Sequence, residues 1–255
     1  MKDISTEVAY ISEPVVKAVF EYSAANSIQI KNDALDCSIV TLCNKRDKWA
    51  NEGSVVVFTA GVFDILHTSH LLALTHYRLL GAHEYLKRQG ILNPSAETLQ
   101  EIAASDKVRF ILSVDTDSRV AGDKAFVADK GNSPKPLVSW ENRVLLLARQ
   151  SISGANNSHS LIDFITSHGV DACICNDCPH SDNAHIAAAI KPDIIVVSSG
   201  SQGTINKLRE HDAELTNSKL VVIQEDSLSY YDKLLKGPIK SSSIIKRAQL
   251  KFEEA

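Results

Sequence analysis

The stretch from Val55 to His70 constrains the fold of this chain more than any other segment. Val55, Val56, Val57 and Phe58 form an apolar, largely β-branched run that reads as a buried strand. The run breaks at Thr59-Ala60-Gly61 into a tight turn, and His67 and His70 follow three residues apart where a helix would begin. A strand that feeds a helix through a glycine turn offers an anion the unpaired N–H groups of the helix start, with their partial positive charge. Two imidazoles at i and i+3 lie on one side of the first turn and can donate to the same oxygens. The pattern predicts a phosphate-binding turn at the carboxyl end of a buried strand.

Strand-like and helix-like segments alternate from about residue 54 to the end of the chain. Strands are expected at 55–59, 108–114, 170–175, 194–197 and 220–223, the fourth entered through the Pro192-Asp193 turn. Helical stripes lie between them: Leu71, Leu72, Leu74, Leu79 and Leu80, then 144–147, then 187–190, with an additional helix at 96–104. This alternation predicts an α/β fold, a Rossmann-like parallel sheet with helices on both faces. Such sheets bind ligands outside the carboxyl ends of their strands, which is where the His67 turn falls. Residues 1–52 are read as an N-terminal extension packed on the main domain, with a helical pattern at 14–25, opened by Ser12-Glu13-Pro14, and a short strand at 38–42. Residues 53–255 form the main domain.

Composition narrows the classes of function. With 44% apolar and 23% charged residues over 255 positions, the chain is ordinary globular material. A net charge of −4 argues against a nucleic-acid partner, which needs a basic face. No apolar stretch approaches the roughly 20 residues of a membrane span, and the start MKDISTEVAY lacks a signal-peptide pattern, so a cytoplasmic protein is expected. Five cysteines, an odd number, fit reduced thiols better than a disulfide framework. Cys173, Cys175, Cys178 and His180 carry soft ligands in a compact C-x-C-x-x-C-x-H run, an alternative zinc cluster. Cys173 and Cys175, however, alternate along the expected strand at 170–175, where cysteine serves as a small apolar residue, and a structural site usually draws ligand pairs from two separated knuckles. No metal ligand from the protein is therefore assigned.

GVFDILHTSH, residues 61–70, resembles the G-x-F-D-x-x-H-x-G-H fingerprint of the nucleotidylyltransferase superfamily, in particular its glycerol-phosphate cytidylyltransferase and heptose-phosphate adenylyltransferase branches. Gly61, Phe63, Asp64, His67 and His70 match, and Ser69 stands where the family has glycine. Asp115-Thr116-Asp117-Ser118-Arg119-Val120, Lys124, the run Lys130 to Pro136 and Glu141-Asn142-Arg143 are similar to the family's S-D…K-G…R-P…E-x-R stretch. Ile239-Lys240-Ser241-Ser242-Ser243-Ile244 looks like its second motif, I-S-[ST]-[ST]-x-I, with Lys240 in place of the first serine and no arginine a few residues upstream.

The resemblance implies a transferase that moves CMP or AMP from CTP or ATP to a small phosphorylated acceptor and releases pyrophosphate, with Mg²⁺ on the triphosphate. It makes His67, His70 and Lys124 catalytic, with Lys130 able to replace Lys124. Gly61, Val62, Phe63, Ser69, Arg143, Ser241, Ser242 and Ser243 become nucleotide- and phosphate-binding, and Asp64 a turn-stabilising acceptor. Relatives are often homodimers, which implies a homo-oligomer. The sequence does not choose between CTP and ATP, and the Lys130-Gly131-Asn132-Ser133-x-Lys135-Pro136 run leans toward a sugar-phosphate acceptor. Residues 83–107 and the polar 153–160 lengthen the rim relative to the family, and Val197 to Ser201 falls where relatives shape the base pocket. Ser69, Lys240 and the missing arginine motivate an alternative, a catalytically weakened nucleotide-binding regulatory protein of the same fold.

Overall fold

A computed structural model describes residues 39–120, 136–168 and 183–223. Among the described residues the helices and strands follow in the order α1 (Ile39–Asn51), β1 (Val55–Gly61), α2 (Thr68–Arg88), α3 (Ala96–Ala103), β2 (Val108–Asp115), α4 (Trp140–Ala148), β3 (Ser151–Ser153), β4 (Ser158–Ser160), β5 (Phe164–His168), α5 (Asn183–Ile190), β6 (Ile194–Ser198), α6 (Gln202–Glu210) and β7 (Lys219–Ile223). Strands β5, β2, β1, β6 and β7 lie side by side in that order, and every pairing between them is parallel. β3 and β4 form a separate antiparallel pair.

The period-2 alternation of β1 divides the interior into two layers. Val55 and Val57 face a core built with Leu74 and Ala82 of α2, Ala103 of α3, and Val144 and Leu147 of α4. Val56 and Phe58 face the opposite core, with Leu42 and Trp49 of α1, Ala184, Ile186, Ala187 and Ile190 of α5, and Leu208 of α6. The fold is thus Rossmann-like α/β, with helices on both faces of a parallel sheet. At the centre of α2, Gly81 lets the helix approach the sheet closely, since a Cβ there would stand 2.7 Å from methyl groups of both Val57 and Val108.

One local expectation changes, and the sheet holds one strand beyond those expected. Residues 38–42 look strand-like because Ile39, Val40 and Thr41 are β-branched, yet Ile39–Asn51 is a helix. Leu42 and Trp49, seven residues apart, fall on one helical face and are both buried against the sheet, so burial overrides local β preference. The strand beside β2 is Phe164–His168, in register from Ile111↔Phe164 to Asp115↔His168. The expected strand at 170–175, the helix at 14–25, Lys124, Lys130, Ser241, Ser242, Ser243 and the group Cys173, Cys175, Cys178 and His180 lie outside the described residues. No helix among the described residues is long and apolar enough to cross a membrane.

Candidate active site

β1 has β2 on one side and β6 on the other. The β1-to-β2 connection passes over the α2 face, and α5, which leads to β6, covers the other face. Connections that leave a central strand in opposite directions open a crevice at the carboxyl ends. Gly61 closes β1 at this edge, and the chain then turns through 62–67 into α2.

The turn is tightly built. Phe63 holds a left-handed backbone at φ 52°, unusual for a bulky residue. Its ring folds back over Gly61, so that a Cβ at position 61 would meet Phe63 Cε2 at 2.8 Å. The same ring meets His70 edge to face, with centroids 5.2 Å apart and planes at 68°. His67 occupies the N-cap position of α2 with an extended backbone, and its carbonyl accepts from the N–H of His70 at 2.9 Å. Because i and i+3 overlie one another at a helix start, the two imidazoles stack, 3.8 Å between centroids and 21° from parallel.

Burial and the neighbouring His67 push the pKa of His70 down to about 4, against an opposing backbone hydrogen bond with Ile65. His70 is therefore neutral at pH 7, carrying one donor and one acceptor nitrogen. Its Nδ1 and the Oγ of Ser69 are shielded from solvent and have no hydrogen-bond partner. Buried polar atoms of this kind are normally satisfied, so two of them together at a helix start leave bonding capacity that a water or a ligand could use.

A second set of residues holds the turn from behind. The side chain of Arg143 in α4 is fully buried. Its guanidinium donates to the carbonyl of Val62 in the turn, to the carbonyl of Asp115 at 2.8 Å, to Asp117 Oδ1 at 2.6 Å, and from Nε to the carbonyl of Val138 at 3.0 Å. Asp117 Oδ2 also accepts the N–H of Trp140, fixing the start of α4. From the turn itself, Asp64 Oδ1 accepts the N–H groups of Leu137 at 2.7 Å and Val138 at 3.0 Å. Beside this, Asn183 at the start of α5 donates to Asp115 Oδ1 and accepts from the buried hydroxyl of Ser113.

Gly61, Val62, Phe63, His67, Ser69 and His70 are thus gathered at one turn. Arg143 touches that turn through Val62 but spends its donors on protein oxygens, so in this structure it is a brace. Sequence reasoning passed over Asp117, although it stands in the quoted DTDSRV run two residues beyond β2. The segment at 198–201 sits beyond the carboxyl end of β6, with Ser198 Oγ accepting from Gly200 N–H.

No protein-family model matches the chain, and no curated protein matches it. Among solved structures, it is similar to the lipopolysaccharide core biosynthesis protein from Thermoplasma volcanium GSS1 at 18% identity and a TM-score of 0.41, over 67% of this chain and 97% of that one. The fold assignment accordingly rests on the sheet order and the two helical layers described above.

Proposed function

We propose that this protein is a nucleotidyltransferase, moving a nucleoside monophosphate from CTP or ATP to a small phosphorylated acceptor with release of pyrophosphate. The observation that carries the reading is the stacked His67 and His70 pair at the α2 start, with His70 Nδ1 and Ser69 Oγ buried and unpartnered beside a strand-switch crevice. A phosphate monoester acceptor already bears an oxyanion at neutral pH, its second pKa lying near ~6, so no protein nucleophile is required. An acceptor oxygen attacks the α-phosphorus, the α–β bridging bond breaks, and the electron pair leaves with pyrophosphate.

The work left for the chain is to hold two anions together and to stabilise charge that builds on the phosphates. In this reading the imidazole N–H groups of His67 and His70 and the α2 start donate to the triphosphate. The one N–H of the neutral His70 ring is engaged with the Ile65 backbone, so donation from Nδ1 to phosphate requires a proton there, which the charge of a bound triphosphate favours. Lys124 is assigned to the α-phosphate and acceptor, and Ser241, Ser242 and Ser243 to the β- and γ-phosphates, on the strength of the motif resemblance. Asp64 Oδ1 is committed to two backbone N–H groups, so Mg²⁺ is proposed to enter with the triphosphate as part of the substrate.

The test is a thermal-shift comparison of CTP, ATP, GTP and UTP with and without Mg²⁺, followed by pyrophosphate release with phosphorylated acceptors. One nucleotide is expected to raise the midpoint selectively, and His70→Ala is expected to abolish most of that shift and lower turnover by about 100-fold, as loss of one transition-state donor does. Near-normal turnover in both His67→Ala and His70→Ala would refute the assignment. Nucleotide binding without pyrophosphate release would favour the regulatory reading, for which the commitment of Arg143 to protein oxygens is the supporting observation.

A further inference from the structure

We infer that Asp64 and Arg143 form a two-way clamp that positions Phe63 and, through it, His70. The clamp crosses in both directions between the same two segments. Asp64 reaches out of the β1–α2 turn to the N–H groups of Leu137 and Val138, while Arg143 reaches back to the carbonyl of Val62. The residue between the two anchors is Phe63. Its neighbours on either side are thus tied to the segment leading into α4, and Phe63 alone takes the left-handed backbone that turns its ring onto His70. Such a conformation is strained for a bulky residue and persists only where its surroundings impose it.

Arg143 is in turn held by Asp117 and by the carbonyls of Asp115 and Val138, so the clamp joins the end of β2, the approach to α4 and the end of β1. The consequence is chemical. Phe63 on one edge and His67 on one face leave His70 a single orientation, with Nδ1 enclosed. Asp64 and Arg143 are positioning residues in this scheme, acting on nucleotide through His70. That last step rests on the proposed function; the clamp itself does not, and it is read without nucleotide.

Hydrogen exchange of the wild-type protein gives the first reading. Leu137 and Val138 amides lie in an irregular segment, and Leu137 is 47% exposed, so strong protection there requires the Asp64 carboxylate. Exchange at open-chain rates would overturn the clamp with no variant needed. The second reading is the NMR signature of the His70 ring, displaced in the wild type by the Phe63 edge and the His67 face. Asp64→Ala is expected to move it toward an exposed histidine, while Asp64→Asn, which keeps the Oδ1 acceptor, restores it. Asp117→Ala, at a side chain 42% exposed, removes one Arg143 acceptor and should shift the same resonances in the same direction by a smaller amount, which covers the case where Asp64→Ala does not fold. Unchanged His70 resonances in a folded Asp64→Ala would sink the inference. With CTP–Mg²⁺ and ATP–Mg²⁺ as probes, affinity should fall about tenfold or more in Asp64→Ala and recover in Asp64→Asn. If the wild type binds neither probe, the proposed function fails while the ring signature still decides the clamp.

Discussion

His70 is the residue whose chemistry depends most on where the fold puts it. Its pKa is depressed to about 4 from an ordinary 6.5, so between those values the unfolded chain binds a proton that the folded chain does not. Stability therefore rises with pH through that window: the contribution is fully present above 6.5 and is lost as pH falls toward 4. At about 1.4 kcal/mol per pH unit, the wild type should lose about 2 kcal/mol between pH 7 and pH 5 from this group alone. His70→Gln should flatten the loss, and urea denaturation at the two pH values measures both; equal slopes would mean that His70 titrates normally. Histidine spacing and the preceding glycine turn were legible in the sequence because helix geometry alone puts i and i+3 on one side. Arg143 was not legible in the same way. Its residue type suggested an anion contact, but whether a guanidinium meets phosphate or carbonyl oxygens depends on where Val62 and Asp115 lie, and both are distant in sequence.

At the scale of elements, long periodic patterns declared themselves and short ones did not. β1, β2 and β6 and helices α2, α4 and α5 follow from apolar runs or stripes that a buried element explains, while β7 follows from its LVVI run although it lies half exposed. β5 was missed because Phe164–His168 offers just two strongly apolar residues, Phe164 and Ile165, before three polar ones, and the more apolar run a few residues later drew the expectation. Thr166 and Ser167 are buried nonetheless, because β5 pairs with β2 and lies under covering layers whatever its composition. Gly81 is a contrary case, a residue that reads as a helix weakness and acts as a packing device. Alanine there would gain about 1 kcal/mol of helix propensity, but its Cβ would press on the stiff Val57 and Val108 side chains at 2.7 Å. Overpacking of this kind costs roughly 1–3 kcal/mol. Gly81→Ala should therefore be net destabilised by up to about 2 kcal/mol in urea unfolding, and a stabilised variant would mean that α2 rides higher on the sheet.

Across the whole molecule, the site and its scaffold are held by different means at opposite ends of the sheet. Toward the amino ends of β2 and β5, the fully buried Arg78 of α2 donates to the carbonyls of Ala103, Leu161 and Val108 and to Asp163 Oδ2. One side chain thus joins α2, α3, β2 and the approach to β5. Burial alone would push Asp163 up, but His159, the Arg78 charge and the N–H of Phe110 outweigh it and hold the carboxyl below its usual range. Removing Arg78 strips a donor from each of these carbonyls and one partner from Asp163, which keeps Arg109, His159 and the N–H of Phe110, so the cost falls toward the lower end of the roughly 3–5 kcal/mol of a broken buried ion pair. Arg78→Met should lower the urea midpoint accordingly. It should also raise the pH of acid unfolding, since Asp163 contributes stability that is present above its unfolded pKa and is lost as pH falls through the folded one. None of these Arg78 bonds touches the His67 and His70 turn directly. Under the proposed function, the increment in melting temperature given by a saturating nucleotide should therefore be nearly the same in Arg78→Met as in the wild type, although the variant melts from a lower baseline. Loss of that increment would show that α2 transmits strain from Arg78 to its own first turn, and that scaffold and site are one cooperative unit.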